Sequence, residues 1–179
     1  MADQATHQPR WRSVLGVTVV LFLFWGALNA FLALFVPFSL HRGGAGAVGG
    51  VLVLSPEADS LLLGRSLAEI ARDDPRLNGY LVTFMDTMCA QMMAYAIVHL
   101  GVTWFGLRRA QAWALWFAGA GALASFVYFI PIVLEFNRLG VDTGAAPLAL
   151  AAPAVVIVAA TALGWYGLRR ARMLSPAAA

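Results

Sequence analysis

The sequence contains no lysine and only one cysteine, and charged residues of both signs make up just 12% of its 179 positions. Each shortage excludes something. A single thiol, Cys89, rules out an internal disulfide, a CxxC redox pair and a four-thiolate zinc site. A folded water-soluble domain usually carries about twice this share of charge. No GxGxxG follows a strand pattern, and GxxxxGK[ST], HExxH and GxSxG are absent. No acidic run has calcium-loop spacing. Clean period-two alternation over many short segments is also missing, which argues against a membrane β-barrel. The basic residues do not interleave with aromatics, so a nucleic-acid partner is not expected.

What the chain does have is apolar length. Hydrophobic residues reach 61% and the mean hydropathy is +0.76. That excess excludes a disordered chain and an ordinary cytosolic enzyme. It predicts an all-α integral membrane protein, a four transmembrane helix bundle forming a single membrane domain over 1–179. The 12 basic residues are all arginine, a usage we attribute to base composition.

The polar start, residues 1–12, carries His7, Arg10 and Arg12. The first span is expected at about 13–40. Its apolar run is nearly twice the length of a secretory signal core, which argues for an uncleaved helix. Pro37 lies near its end. The glycine-rich stretch 41–54 is too short to span. Ser55-Pro56-Glu57 starts the next helix, with a Ser cap, proline in the first turn and an acid beside it. This amphipathic helix is expected over about 56–72, between spans one and two. Leu63, Leu67 and Ile70 share a face, while Arg65, Glu69 and Arg72 fall largely elsewhere, as suits a helix on a membrane surface or capping a bundle. Asp73-Asp74-Pro75 ends it and opens the second long helix, whose membrane part is expected at about 80–107. Spans three and four are expected at 112–136 and 147–168, joined by a loop over 137–146.

Arginines set the orientation. With the N-terminus inside, seven basic residues lie inside, mostly close to span ends, and five outside, which favours cytoplasmic termini in a bacterial inner membrane. W-[F/Y]-G-L-R-R-A occurs at 104–110 and again at 165–171. Interfacial aromatics followed by paired arginines are what two helices ending on one side require, and that reading is preferred to duplication.

Ionisable residues within spans carry an insertion cost and are the first candidates for function. At 1.5 Å per residue, Asp86 stands roughly 31 Å from Leu107, Glu135 roughly 33 Å from Trp113, and Asn29 roughly 25 Å from Arg12. Three helices thus bring Asn29, Asp86 and Glu135 to a similar outer level, with His41 ending the first helix on the same side. Converging faces would make an acidic, ligand-binding pocket. The plainer alternative is that each carboxylate reaches water or an arginine such as Arg76 or Arg138. His99 lies deeper, about 12 Å from Leu107. It is a candidate ligand-binding residue, although a hydrogen-bonding core histidine is the preferred reading. Met85, Met88, Cys89, Met92 and Met93 cluster on the second span. Soft sulfur suits Cu(I), but one helix face cannot surround a metal, and methionine also fills core gaps. No cofactor is therefore predicted, with haem at His99 and copper at the methionine cluster both disfavoured, and no metal site is assigned. Ala118, Ala122 and Ser125, and Ala160 with Gly164, are small-residue steps that let helices approach.

These features imply a structural or accessory membrane protein, or one that binds a lipid-like or quinone-like molecule. The expected partners are the bilayer, a hydrophobic small molecule, another membrane protein or a second copy. A lipid-modifying enzyme is the alternative, with Asp86 and Glu135 as acid and base and Asn29 orienting the substrate. A small transporter acting as an oligomer is the third reading.

Overall fold

The structure is a computed structural model that describes residues 13–47, 49 and 51–174. The described residues contain helices and no strand. In chain order the helices are α1 (Val14–Gly43), α2 (Pro56–Leu63), α3 (Leu67–Asp73), α4 (Pro75–Gly101), α5 (Ala112–Arg138) and α6 (Ala146–Leu174). A π-helical turn, Val102–Gly106, and a 3₁₀ turn, Leu107–Arg109, continue α4. Ala110 then takes a left-handed conformation (φ 58°) that ends the helix. Four segments are long and apolar enough to cross a membrane: Val14–Gly43, Pro75–Arg109, Ala112–Arg138 and Ala146–Arg170.

Prolines are tolerated inside these helices at Pro37, Pro131 and Pro153. Each removes one backbone donor, which apolar surroundings penalise unless the freed carbonyl is satisfied otherwise.

The single helix expected over 56–72 is instead two. Ser55 caps α2, its side chain accepting from the Ala58 N–H. Gly64 closes α2 in the left-handed conformation at φ 70°, where a side chain would strain the backbone. Ser66 then caps α3 through a reciprocal capping box with Glu69. Apolar periodicity at 63, 67 and 70 runs through this break, so hydrophobic spacing alone does not reveal it. Local backbone chemistry at Gly64 and Ser66 overrides the pattern.

The chain divides into two compact units by contact. The terminal unit comprises the described residues of Met1–Leu28, Ala96–Ser125 and Pro153–Ala179. Its helices meet where side chains are smallest. A methyl group at Gly167 of α6 would stand 2.9 Å from the backbone nitrogen of Leu15 in α1. One at Gly119 of α5 would stand 2.7 Å from the Thr161 hydroxyl in α6. Gly26 of α1 lies similarly close to Leu100 of α4. Leu15, Val19, Phe22, Leu115 and Leu168 are buried in this unit.

The loop unit comprises Asn29–Tyr95 and Phe126–Ala152. It holds two apolar clusters. Leu67 and Ile70 of α3 pack with Ala45 and Leu81, and with the partly buried Leu52, Leu63 and Leu77. Ala58 of α2 packs with Phe136 and Val141, flanked by Val53, Leu54 and Ile132. Polar anchors fix the connecting strand of chain. The carboxylate of Asp59, almost fully buried, accepts the N–H groups of Leu52 (2.6 Å), Val53 (2.9 Å) and Leu54 (3.3 Å). Asn78 accepts the Ala45 N–H at 2.8 Å. Loop backbone groups that helices leave unmatched thus find side-chain partners.

Candidate functional site

In the loop unit, the last turn of α1 and the middle of α4 hold an imidazole–carboxylate pair. Nε2–H of His41 donates to Oδ2 of Asp86 at 2.8 Å. The two residues are 45 positions apart, and the pair is graded by exposure: the His41 side chain is 62% exposed and that of Asp86 35%. The second carboxylate oxygen, Oδ1 of Asp86, is buried and has no hydrogen-bond partner. A carboxylate oxygen of this kind retains unused acceptor capacity. The carboxylate holds the imidazole by its Nε2–H, so in the neutral ring Nδ1 is the acceptor nitrogen. Orienting a histidine in this way is how a proton acceptor is readied for work.

Glu135 lies in the same unit near the end of α5. Its Oε1 accepts from the Arg138 guanidinium at 2.8 Å, and both side chains are more than half exposed. An exposed pair at i, i+3 contributes little, about 0–1 kcal/mol. Asn29, half-buried on α1, also belongs to this unit. Of the outer-level residues singled out in the sequence, the structure joins Asp86 to His41 and Glu135 to Arg138. No hydrogen bond links the two carboxylates.

His99 belongs to the terminal unit and is buried, 3% exposed. Its Nε2–H donates to the Phe22 carbonyl at 3.1 Å, and the Phe22 ring lies 5.6 Å from the imidazole. One turn on, at Thr103, the backbone departs from the α register. Thr18, Thr83, Thr87 and Thr161 each donate their hydroxyl to the carbonyl four residues earlier. Thr103, fully buried within the π-helical turn, has no hydrogen-bond partner for its hydroxyl. Such turns recur at functional positions.

Cys89 is buried. Met88 is exposed, while Met85, Met92 and Met93 are half-buried. Among the described residues no group of three or more His, Cys, Asp or Glu could hold a metal ion. The segment from the end of α2 through α3 to α4 carries its own charged network. Arg65 reaches Asp74 at 2.9 Å, and Arg72 grips the adjacent Asp73 through two hydrogen bonds. The Leu77 N–H and then Arg65 hold the Asp74 carboxyl below its ordinary range, and the Ser66 N–H and hydroxyl do the same for Glu69.

Sequence reasoning missed His41 as the partner of Asp86, since nothing local connects positions 45 residues apart. It missed Asp59 as well. The available signal there was an acid in a helix first turn, directly after a run of loop residues needing acceptors. No family model, curated protein or solved structure matches this chain.

Proposed function

We propose that this is a small integral membrane protein of a bacterial inner membrane, with its four long helices forming one transmembrane bundle and both termini in the cytoplasm. Within that bilayer it serves as an accessory protein or binds a hydrophobic, lipid-like molecule. The observation that carries the reading is the set of large apolar side chains facing outward on every long helix. Phe24, Leu34, Val98, Phe117, Tyr128 and Leu148 are each more than 60% exposed. In water this surface would far exceed the apolar patches a soluble monomer tolerates. Lipid tails cover it without penalty. The close approaches at Gly26, Gly119 and Gly167 support a packed bundle, since small residues are what lipid-embedded helices use to associate.

Asp86 supports the binding part of the reading. Its side chain is 35% exposed, and a headgroup donor can share the oxygen that His41 engages, since a carboxylate oxygen accepts more than one hydrogen bond. The arginine excess near three helix ends supports the orientation.

A second reading is favoured by the His41–Asp86 pair itself: a lipid-modifying enzyme in which His41 takes up a proton and Asp86 orients it. The separate engagement of Glu135 with Arg138 speaks for His41, rather than Glu135, as the other member.

Native mass spectrometry of the protein gently extracted from its own membranes tests the first reading. A retained lipid-like molecule or protein partner at fixed stoichiometry supports it. A bare chain that turns over added phospholipid, and loses that turnover in both His41→Ala and Asp86→Asn, supports the enzyme.

A further inference from the structure

The two copies of W-[F/Y]-G-L-R-R-A share three local features on two different backbones. The first copy bridges the π-helical and 3₁₀ turns after α4, and the second is plain α-helix within α6. In both, the leucine is buried, Leu107 and Leu168. The glycine of each copy sits where a side chain has no room, Gly106 against Ala114 and Gly167 against Leu15. The arginine four residues after the tryptophan lies over its ring in each, Arg108 over Trp104 at 4.3 Å and Arg169 over Trp165 at 4.8 Å. Trp116 of α5 adds a second ring against Trp165 at 5.5 Å. The glycine and leucine tie each copy to the protein, while Trp104 and Arg169 are exposed and Arg108 and Trp165 are half-buried.

Charge separates sharply between the units. The stretches making up the terminal unit contain seven arginines and one acid, Asp3. The loop unit contains five arginines and eight acids. Arg109, Arg169 and Arg170 are exposed. A guanidinium stacked on an indole uses its flat face and keeps its N–H donors in the plane, where they suit the paired oxygens of a phosphate. Tryptophan favours headgroup depth.

We propose that the two Trp–Arg pairs, with Arg109 and Arg170 beside them, form binding sites for the phosphodiester headgroups of anionic phospholipids. This rests on the membrane reading above and specifies one lipid class for it. The sites select anionic over zwitterionic headgroups because 96–125 and 153–179 contain no acid to receive the cationic group of a zwitterionic headgroup.

The test is native mass spectrometry of the purified full-length protein in detergent with equal amounts of phosphatidylglycerol and phosphatidylcholine of matched acyl chains. Phosphatidylglycerol adducts are expected to dominate. An arginine near an anionic surface contributes about fivefold in affinity, the equivalent of about 1 kcal/mol. Arg169→Gln should therefore weaken phosphatidylglycerol binding at its own site about fivefold, and Arg108→Gln with Arg169→Gln should weaken both sites about fivefold each, with phosphatidylcholine unchanged. Arg42 supplies the control. It lies over Phe38 at 4.1 Å in the same i, i+4 arrangement, but within the acid-rich unit. Arg42→Gln should leave the adducts unchanged.

Equal retention of the two lipids, or an equal loss in Arg42→Gln, would overturn the assignment. So would displacement of the adducts by millimolar inorganic phosphate, which would point to a free anion. If the double variant fails to fold, Arg169→Gln alone decides. A chain that is monodisperse without detergent and retains neither lipid would instead refute the membrane reading.

Discussion

The packing of α1 against α6 makes a quantitative prediction at Gly167. A methyl group there would stand 2.9 Å from the Leu15 nitrogen and 3.2 Å from its Cα, and those are backbone atoms that cannot rotate aside. Ordinary contact begins near 3.4 Å, so the two helices would have to part by about half an ångström along their crossing. Forcing extra volume into a packed contact costs about 1–3 kcal/mol. Alanine also has about 1 kcal/mol more helix propensity than glycine, and that gain partly masks the loss. Gly79 of α4 separates the two effects, because nothing lies within 4 Å of a methyl group there. Gly79→Ala should be neutral or stabilising by up to about 1 kcal/mol, whereas Gly167→Ala should be less stable than Gly79→Ala by about 1–3 kcal/mol. Unfolding by titration with a denaturing detergent, followed by tryptophan fluorescence, measures both. A Gly167→Ala protein as stable as Gly79→Ala would refute the close crossing of α1 and α6.

Other consequences follow from the polar groups. Thr103→Val replaces a buried hydroxyl that has no partner with a methyl of similar shape, and should stabilise the protein by about 1 kcal/mol in the same unfolding titration. Thr161→Val, which removes a hydroxyl bonded to Ile157, should not. Asp59→Ala leaves three loop N–H groups without their acceptor, and at about 1 kcal/mol or more for each should destabilise residues 52–54 by about 3 kcal/mol, seen as faster amide exchange there. The carboxyls of Glu69, Asp73 and Asp74 are held low by hydrogen bonds and nearby arginines. Their contribution is therefore complete above the ordinary carboxyl range near pH 4 and is lost as pH falls through their lower folded values. Amide protection factors at the start of α3 and α4, corrected for the intrinsic pH dependence of exchange, should fall on acidification below about pH 4 and stay constant between pH 5 and 8.

The long helices were legible because their signal is simple. Four apolar stretches of the length needed to span a bilayer are visible without knowing any contact, and the expected 112–136 and 13–40 correspond to Ala112–Arg138 and Val14–Gly43. The division of 56–72 was not read, because leucine and isoleucine spacing continues across Gly64 as though the helix did. Serine followed three residues later by Glu69 was the signal present in the sequence. The π-helical turn at 102–106 has no comparable sequence mark. At the candidate site, the partner of Glu135 lies three residues away and can be read from helical spacing. The partner of Asp86 lies on another helix, and only folding brings His41 to it. Depth along a helix can be counted in residues, but the direction a side chain faces depends on neighbours that the count does not contain.

The central claim is that four helices cross the membrane, so the ends of successive helices alternate sides. Single cysteines at three exposed positions test it directly, in a Cys89→Ala background that removes the buried native thiol. Glu57 lies in α2, Gln111 between the 3₁₀ turn and α5, and Asp142 between α5 and α6. In intact cells a membrane-impermeant maleimide should label Glu57→Cys and Asp142→Cys and reach Gln111→Cys only after the cells are opened. Labelling of all three from outside, or of Glu57→Cys and Asp142→Cys on opposite sides, would contradict four spans.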